Sequence, residues 1–197
     1  MDKREMLNGL LARERGVLKT ADVVSAGISK TYLADFVKAK GLKRAAQGLY
    51  LSPDAWEDGF YLLQARYAQA IFSHEAALYL WDLTDREPLR YSVTVKAGYN
   101  APSLVEQGAK VYRVKKELYE TGVTEALTPG GHMVRVYNME RTICDIIRSR
   151  RTMEAQDLQT AIKAYVRKKE RNIPRLMEYA KLFHTEKILR QYLEVLL

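Results

Sequence analysis

The chain has 197 residues, 47% of them hydrophobic and 28% charged, and its formal net charge is +8. This length suits one domain of ordinary size or two small ones. The single cysteine, Cys144, excludes a disulfide framework and a cysteine-rich zinc site and fits a reducing cytoplasm. No apolar run approaches the roughly 18 residues of a membrane span, and the N-terminus lacks the apolar core of a signal peptide. We therefore expect a cytoplasmic protein without membrane contact.

The charge is unevenly distributed along the chain. Residues 1–52 carry ten basic and five acidic side chains, residues 53–145 carry ten and thirteen, and residues 146–197 carry twelve and six. Two cationic ends around an acidic middle favour two separate anion-facing surfaces. The alternative is that the basic residues merely solvate exposed helices.

The first 52 residues predict a winged helix-turn-helix, a fold that reads double-stranded DNA. Its predicted elements are a helix over residues 2–14, a short edge strand at 17–18, a short helix after Thr20 that runs into Gly27, a second helix capped by Ser29 and ending near Ala39, and two strands near 42–44 and 49–51. Within the second helix, Tyr32, Leu33, Phe36 and Val37 share one face, so we expect them to be buried. A tight basic loop joins the two last strands into a wing.

The opposite face of the second helix and the wing supply the candidate DNA contacts. We expect the helix to enter the major groove with its N-terminal residues near the base edges, while cations further along and on the wing hold phosphates or probe the minor groove. The predicted DNA-binding residues are Thr20, Ser29, Lys30, Thr31, Tyr32, Lys38, Lys40, Lys43, Arg44 and Gln47.

Residues 53–197 predict a second, mixed domain that begins after the boundary signal Ser52-Pro53-Asp54. The predicted elements are a helix from 54 to 72, a helix capped by Ser73, a half-exposed strand at 91–95, strands at 111–114, 123–127 and 133–137, a helix capped by Asn138, and three C-terminal helices that start near 153, 172 and 185. The fold class is therefore α+β: a winged head, a small and mainly antiparallel sheet, and a C-terminal helical bundle.

Nothing in the sequence assembles a catalytic or metal site. The three histidines, His74, His132 and His184, have no partner at metal-ligand spacing, and no glycine-rich phosphate loop is present. Ser73-His74-Glu75 is typical of a helix cap, and Cys144 lies in an apolar helix where a thiol is inert. We expect no catalytic residue, no metal and no cofactor.

The C-terminal third offers a second basic surface. Its candidate residues are Arg148, Arg150, Arg151, Arg167, Lys168 and Lys169. Cations at a helix C-terminus also suit the helix dipole, which is the structural alternative for the last three. Arg141 and Asp145, four residues apart, can pair on the helix surface for a few tenths of a kcal/mol. They fit either a recognition patch or a helix start braced against the sheet.

The chain resembles the AbiEi antitoxins of bacterial abortive-infection systems. Three segments carry the resemblance: Gly48-Leu49-Tyr50 at the wing, FSHEAAL at 72–78 leading to Trp81-Asp82-Leu83, and Val134-Arg135-Val136-Tyr137 before ERTICD at 140–145. They span nearly the whole chain in the family's order, and that order carries the match. Glu75, where the family often has a small residue, is a minor departure.

The resemblance implies an antitoxin of a type IV toxin-antitoxin system in phage defence, encoded beside a nucleotidyltransferase-like toxin. The winged head would bind inverted repeats in its own promoter and repress transcription, and the C-terminal domain would counter the toxin without a stable complex. No heptad seam is present, so we expect a monomer in solution that cooperates on DNA. The alternatives are a ligand-responsive transcription regulator without antitoxin activity, and a nucleic-acid-modifying enzyme with a DNA-binding head.

Overall fold

A computed structural model describes residues 2–100 and 102–196. The chain forms two compact units: unit 1 comprises the residues up to 68 together with 127–132, and unit 2 comprises 69–126 and the residues from 133 onward. The domain boundary expected at residue 52 therefore falls inside unit 1. We keep 1–52 as the proposed extent of the DNA-binding domain.

Unit 1 contains the winged helix-turn-helix. Its elements are α1 (Lys3–Arg13), β1 (Val17–Lys19), α2 (Thr20–Ser25), α3 (Lys30–Lys40), β2 (Lys43–Ala46), β3 (Leu49–Leu51) and α4 (Gly59–Arg66). The three strands form an antiparallel sheet in the order β1-β3-β2. Leu7, Leu18, Val23, Leu33 and Phe36 are buried in one core, so α1 covers the two short helices that could not bury their apolar faces alone.

The helix expected over residues 54–72 is wrong in extent. The Asp58 carboxylate accepts a hydrogen bond from the Tyr61 amide at 3.2 Å, so the helix starts only at Gly59 and ends at Arg66. Ile71 and Phe72 form a strand, β4, and both are fully buried. A short apolar run fits a buried strand and a buried helix equally well, and pairing with two neighbouring strands decides this case.

Unit 2 is built on a five-stranded sheet in the order β6-β5-β4-β8-β7. Its elements up to α8 are β4 (Ile71–Phe72), α5 (His74–Leu80), β5 (Ser92–Lys96), α6 (Pro102–Glu106), β6 (Lys110–Val114), α7 (Lys116–Tyr119), β7 (Val123–Leu127), β8 (Met133–Tyr137) and α8 (Met139–Arg148). β4 pairs antiparallel with β5, whereas β4 with β8 and β5 with β6 are parallel. The sheet thus contains parallel pairs that the sequence does not predict. Strands β5 and β6 are parallel because α6 connects them in place of a hairpin, and β4 and β8 are distant in the chain.

Strand β5 is buried on both faces, contrary to the half-exposed strand expected at this position. Ser92 and Thr94 are 0% and 2% exposed, and the Ser92 hydroxyl accepts a hydrogen bond from the Ala76 amide at 2.9 Å while it donates to the Ser73 carbonyl at 2.7 Å. Ser73 occupies the N-cap position of α5 without a side-chain capping bond. The capping oxygen therefore comes from the neighbouring strand and not from Ser73.

The remaining part of unit 2 is helical. After a 3-10 turn at Arg150–Thr152 follow α9 (Ala155–Arg167), α10 (Ile173–Leu182) and α11 (Glu186–Leu196). One core includes buried side chains from α8 to α11, among them Ile143, Ile147, Ile162, Leu176 and Leu189. The α+β fold class with a small sheet and a helical C-terminal part is confirmed. No helix among the described residues is long and apolar enough to cross a membrane.

Candidate nucleic-acid interface

Helix α3 has well-defined ends, as the sequence predicts. Ser29 is extended (φ −69°, ψ 151°), and its hydroxyl oxygen accepts a hydrogen bond from the Tyr32 amide at 3.3 Å. Such a cap satisfies one of the free amides of the first turn. The helix ends at Gly41, which adopts the left-handed conformation (φ 62°) that glycine accommodates without steric cost. The first turn of α3 therefore has a fixed direction.

Most of the predicted DNA-contacting side chains lie on the surface. The exposed members are Ser29, Lys30, Thr31, Lys38, Lys40, Lys43, Arg44 and Gln47, and the half-buried members are Thr20 and Tyr32. The Tyr32 ring packs against the head's core, with the Lys3 ammonium 5.8 Å from its centroid. Burial of Leu33 and Phe36 on the other side of α3 points the polar face outward. Tyr32 is therefore only partly accessible to a partner.

Asp35 belongs to the same exposed face and was missed by the sequence prediction. Residues 30, 31, 34, 35 and 38 are all exposed, and their spacing places them on one side of a helix. A carboxylate on such a face repels phosphate, but it can accept a hydrogen bond from the amino group of cytosine. The signal was present in the sequence, since Asp35 follows Thr31 by one helical turn.

The wing consists of an exposed strand held by a buried one. Lys43 and Arg44 are exposed on β2, whereas Leu49 and Leu51 of β3 are buried. A register shift lies between Arg44 and Ala46, and the Arg44 Nε donates to the Ala46 carbonyl at 3.4 Å. A bulge of this kind increases the local twist. The two cations of the wing are thus displayed on a strand with a bend.

Inside unit 1, the segment 127–132 is held by a buried polar cluster. The Asp58 carboxylate bonds to the Thr128 hydroxyl and lies 2.8 Å from the His132 Nδ1. The His132 ring stacks on Tyr61 with centroids 4.0 Å apart, and the Tyr61 hydroxyl donates to Glu14 at 2.6 Å.

The same cluster shifts the acid–base properties of its two outer members. Burial raises the pKa of the Glu14 carboxyl, but hydrogen bonds from Tyr61 and Arg13 more than offset this and lower it overall. Burial and the adjacent Glu14 carboxylate raise the pKa of the Tyr61 hydroxyl. The hydroxyl therefore stays protonated and remains a donor to Glu14.

The six basic residues proposed for the C-terminal surface follow the ends of two helices. Arg148, Arg150, Arg151, Arg167 and Lys169 are exposed, and Lys168 is half-buried. Three of them already have partners within unit 2: Arg148 lies 3.8 Å from Asp145, Arg150 donates to the Ile147 carbonyl at 3.1 Å, and Lys168 lies 3.8 Å from Asp82. Arg150 thus satisfies a carbonyl in the last turn of α8. Arg151, Arg167 and Lys169 are the freest of the six.

The polar residues at the start of α8 are structural, because all of them are buried. Arg141 and Asp145 are 0% and 3% exposed and pair at 2.9 Å, which corrects the surface pair expected from their spacing. Glu140 accepts hydrogen bonds from the Tyr165 hydroxyl and the Asn172 amide, each at 3.0 Å. The cluster ties α8 to the helices after it, so it is not a recognition patch.

The potential metal ligands and the single thiol are the remaining side chains of chemical interest. No group of three or more potential metal ligands occurs among residues 2–100 and 102–196. Cys144 is fully buried, and burial raises the pKa of its thiol to about 12. The sequence predicts His74 as part of a helix cap, whereas the side chain is buried between the hydroxyl groups of Ser73 and Ser149.

A winged helix-turn-helix with a cationic, outward-facing second helix and wing is the architecture of DNA-binding transcription regulators. Residues 5–53 match the family described as "Transcriptional regulator, AbiEi antitoxin". The family resemblance inferred from the sequence is confirmed over this segment, and it supports an AbiEi-family antitoxin. The description of that family is one of transcriptional regulators and antitoxins.

Among solved structures, the fold is similar to that of the RV2827C protein from Mycobacterium tuberculosis. The TM-score is 0.56 at 14% sequence identity, and the match covers 88% of this chain and 70% of that one. This likeness concerns the fold alone. No curated protein matches the chain.

Proposed function

We propose that the protein is an autorepressor and antitoxin of a type IV toxin-antitoxin system. The winged head binds inverted repeats in its own promoter, with one copy of the monomer on each half-site, and unit 2 counters a nucleotidyltransferase-like toxin without forming a stable complex. A promoter target places this action in the cytoplasm. The proposal is supported most by the exposed polar face of α3 beside a cationic wing, within the segment that matches the AbiEi family.

The proposed docking places the first turn of α3 in the major groove. Ser29, Lys30 and Thr31 are exposed there, and recognition helices contact base edges with their N-terminal residues. Lys38 and Lys40 lie about two to two and a half turns after Thr31, where a helix crossing the groove meets the phosphates. Thr31→Ala should therefore relax sequence preference, whereas Lys38→Ala should weaken binding to all sequences alike.

The wing can be tested by electrophoretic mobility shift over a series of salt concentrations. Replacing Lys43 and Arg44 together with alanine should lower the slope of log affinity against log salt by about two units, since each phosphate contact contributes about 0.9. The matched control replaces Lys115 and Lys116, an adjacent, exposed basic pair of unit 2. Wild-type affinity and slope in the wing variant would remove the wing from the interface.

The antitoxin role needs a separate assay in the full-length chain. Cutting at residue 52 would divide unit 1, which extends to residue 68 and includes 127–132, so substitutions are the better tool. Co-expressed with the neighbouring toxin gene, the Lys43, Arg44 double variant should still protect cells while it fails to repress. A triple alanine variant at Arg151, Arg167 and Lys169 should repress and fail to protect.

A ligand-responsive regulator without antitoxin activity is the second candidate, and a polar cavity in unit 2 favours it. The two functions separate cleanly in the co-expression assay. Full protection by the wild-type chain supports the antitoxin, and growth arrest despite normal repression supports the ligand-responsive regulator.

A further inference from the structure

Unit 2 contains a small cavity, and all of its lining residues except Val114 carry polar side chains. Its volume is about 160 Å³. It lies between strands β5 and β6, the N-terminus of α5 and the inner side and C-terminus of α8. The lining includes Arg113, Arg141 and Arg148 together with His74, Tyr112 and Ser149. Cavities that hold drug-sized ligands measure about 300–1,000 Å³. This cavity therefore suits a single small group.

The cavity is cationic. Three guanidinium groups line it, and Asp145 is the one carboxylate among the lining residues. Arg141 is fully buried and forms its ion pair with Asp145 at 2.9 Å. Arg148 lies 3.8 Å from the same carboxylate, with 44% of its side chain exposed. Arg113 is exposed on β6, and none of the residues 2–100 and 102–196 forms an ion pair with it. Two of the three positive charges thus remain without a full partner.

The back of the cavity is a neutral imidazole held in a fixed orientation. His74 is 4% exposed, its Nδ1 lies 3.0 Å from the Ser73 hydroxyl, and its Nε2 lies 3.0 Å from the Ser149 hydroxyl. Its ring stacks on Tyr112 with centroids 3.5 Å apart and an angle of 8°. Burial, and then the cations Lys110, Arg141 and Arg148, lower the pKa of His74 well below its usual value.

The backbone at His74 is also unusual, a feature that it shares with Arg15, Asp82 and His184. His74 has a φ of 48°, a left-handed conformation that non-glycine residues adopt at a cost of about 1–3 kcal/mol. The surrounding fold maintains this conformation, and it aims the ring at Ser149. In the tautomer whose Nε2–H donates to the Ser149 oxygen, the Ser149 hydroxyl keeps its own proton free. It can then donate a hydrogen bond to an anion that also contacts two guanidinium groups.

We propose that this cavity binds a phosphoryl group, held by the guanidinium groups of Arg113 and Arg148 and by the Ser149 hydroxyl. A phosphoryl group at neutral pH carries about −1.5 to −2 charges, which matches the combined charge of the unpaired Arg113 and the loosely paired Arg148. Each guanidinium group can donate two parallel hydrogen bonds to a pair of phosphoryl oxygens. A carboxylate has the same fit to one guanidinium but supplies only one charge. The inference goes beyond the DNA-binding and antitoxin functions and does not depend on either.

Isothermal titration calorimetry of the full-length protein tests the site, at constant ionic strength with chloride as background. Inorganic phosphate should bind saturably in the millimolar range or tighter, and acetate should not. Adenosine monophosphate should compete with phosphate, because the cavity takes the phosphoryl group alone. Equal affinities would identify the group itself as the ligand, and tighter binding of the nucleotide would identify a nucleotide as its source.

Two exposed arginines allow the site to be altered without disturbing the core. Arg113→Gln and Arg148→Gln should each weaken phosphate binding by at least about tenfold, as expected for the loss of a charge-assisted hydrogen bond. The matched control is Arg151→Gln, which removes the same charge three residues after Arg148 and outside the cavity. Its affinity should stay within twofold of the wild type.

Three results would overturn the proposal. They are the absence of saturable phosphate binding, equal binding of acetate and phosphate, and an equal effect of all three arginine substitutions. Circular dichroism of each variant establishes that it is folded. If Arg148→Gln fails to fold, Arg113→Gln, on an edge strand, decides the test alone.

Discussion

Replacing Arg141 with alanine should destabilise unit 2 by about 3–5 kcal/mol, because removing one partner of a buried ion pair leaves the other charge uncompensated. The Arg141 Nε donates to Asp145 at 2.9 Å, and one terminal nitrogen donates to the carbonyls of Leu118 and Thr121 at 2.9 and 3.0 Å. The guanidinium also lies 3.9 Å from the ring centroid of Phe183.

The magnitude follows from the groups left behind. The substitution orphans one carboxylate and two carbonyl oxygens, and each unsatisfied buried group costs about 1–3 kcal/mol. Arg148 lies 3.8 Å from Asp145 and therefore offsets part of the cost of leaving that carboxylate without Arg141. A fully exposed pair with the same spacing would contribute only about 0.3–0.5 kcal/mol. Breaking the buried pair should therefore lower the free energy of unfolding several times more than breaking an exposed pair.

Urea unfolding monitored by fluorescence measures the difference. Trp56→Phe removes the tryptophan of unit 1, so that Trp81 reports on unit 2, where its indole donates to the Tyr137 carbonyl at 2.8 Å. The matched control is Arg190→Ala, which breaks an i,i+4 pair of 2.8 Å on the surface, with 58% of the arginine side chain exposed.

Two outcomes decide the matter. The reasoning would be refuted if Arg141→Ala lowers the free energy of unfolding no more than Arg190→Ala does. Replacing Arg141 and Asp145 together with methionine and leucine should restore much of the stability, because apolar side chains often replace a buried pair at little cost.

The remaining predictions concern backbone strain, a thiol and a carboxyl group. Gly131→Ala should lower the stability of unit 1 by about 1–2 kcal/mol in urea, since its φ of 81° disfavours any side chain; an unchanged midpoint would contradict this. Cys144, with a thiol pKa of about 12, should react with a thiol reagent at pH 8 only on unfolding, and rapid labelling of the folded chain would refute its burial. Because the pKa of Glu14 is lowered below 4.5 on folding, its contribution is present above that pH and lost as pH falls through the folded value. Glu14→Gln should therefore flatten the acid dependence of stability, and an unaltered profile would exclude the bond to Tyr61.

The winged head could be predicted from the sequence because its signals are local. The Ser29 cap, the glycine that ends α3 and the apolar face of Leu33 and Phe36 each act within a few residues. The outward face follows from helical geometry once the inner face is known. Asp35 lies on this same outward face, one helical turn after Thr31, although the predicted set omits it.

The sheet of unit 2 was harder to predict, since its interactions join distant parts of the chain. β4 is two residues long, and pairing with β5 and β8 defines it. Ser92 caps a helix that begins eighteen residues earlier in the chain, at His74. Neither contact leaves a periodic signal that can be read from one sequence.

Burial likewise decided the meaning of Arg141 and Asp145. Their i,i+4 spacing is the same on an exposed and on a buried helix face, so the sequence could not separate a surface pair from a buried one. The phosphoryl-binding cavity was unpredictable for a related reason, because His74, Arg113 and Ser149 are brought together only by the fold.

Segment 127–132 has a consequence for biosynthesis. Asp58 meets Thr128 and His132 only after residue 132 has left the ribosome, although the rest of unit 1 is complete at residue 68. At about 5–20 residues per second, translating the intervening stretch takes several seconds. During that interval the Asp58 carboxylate lacks the hydroxyl and the imidazole that contact it in the complete fold, and unit 1 is completed only when they arrive.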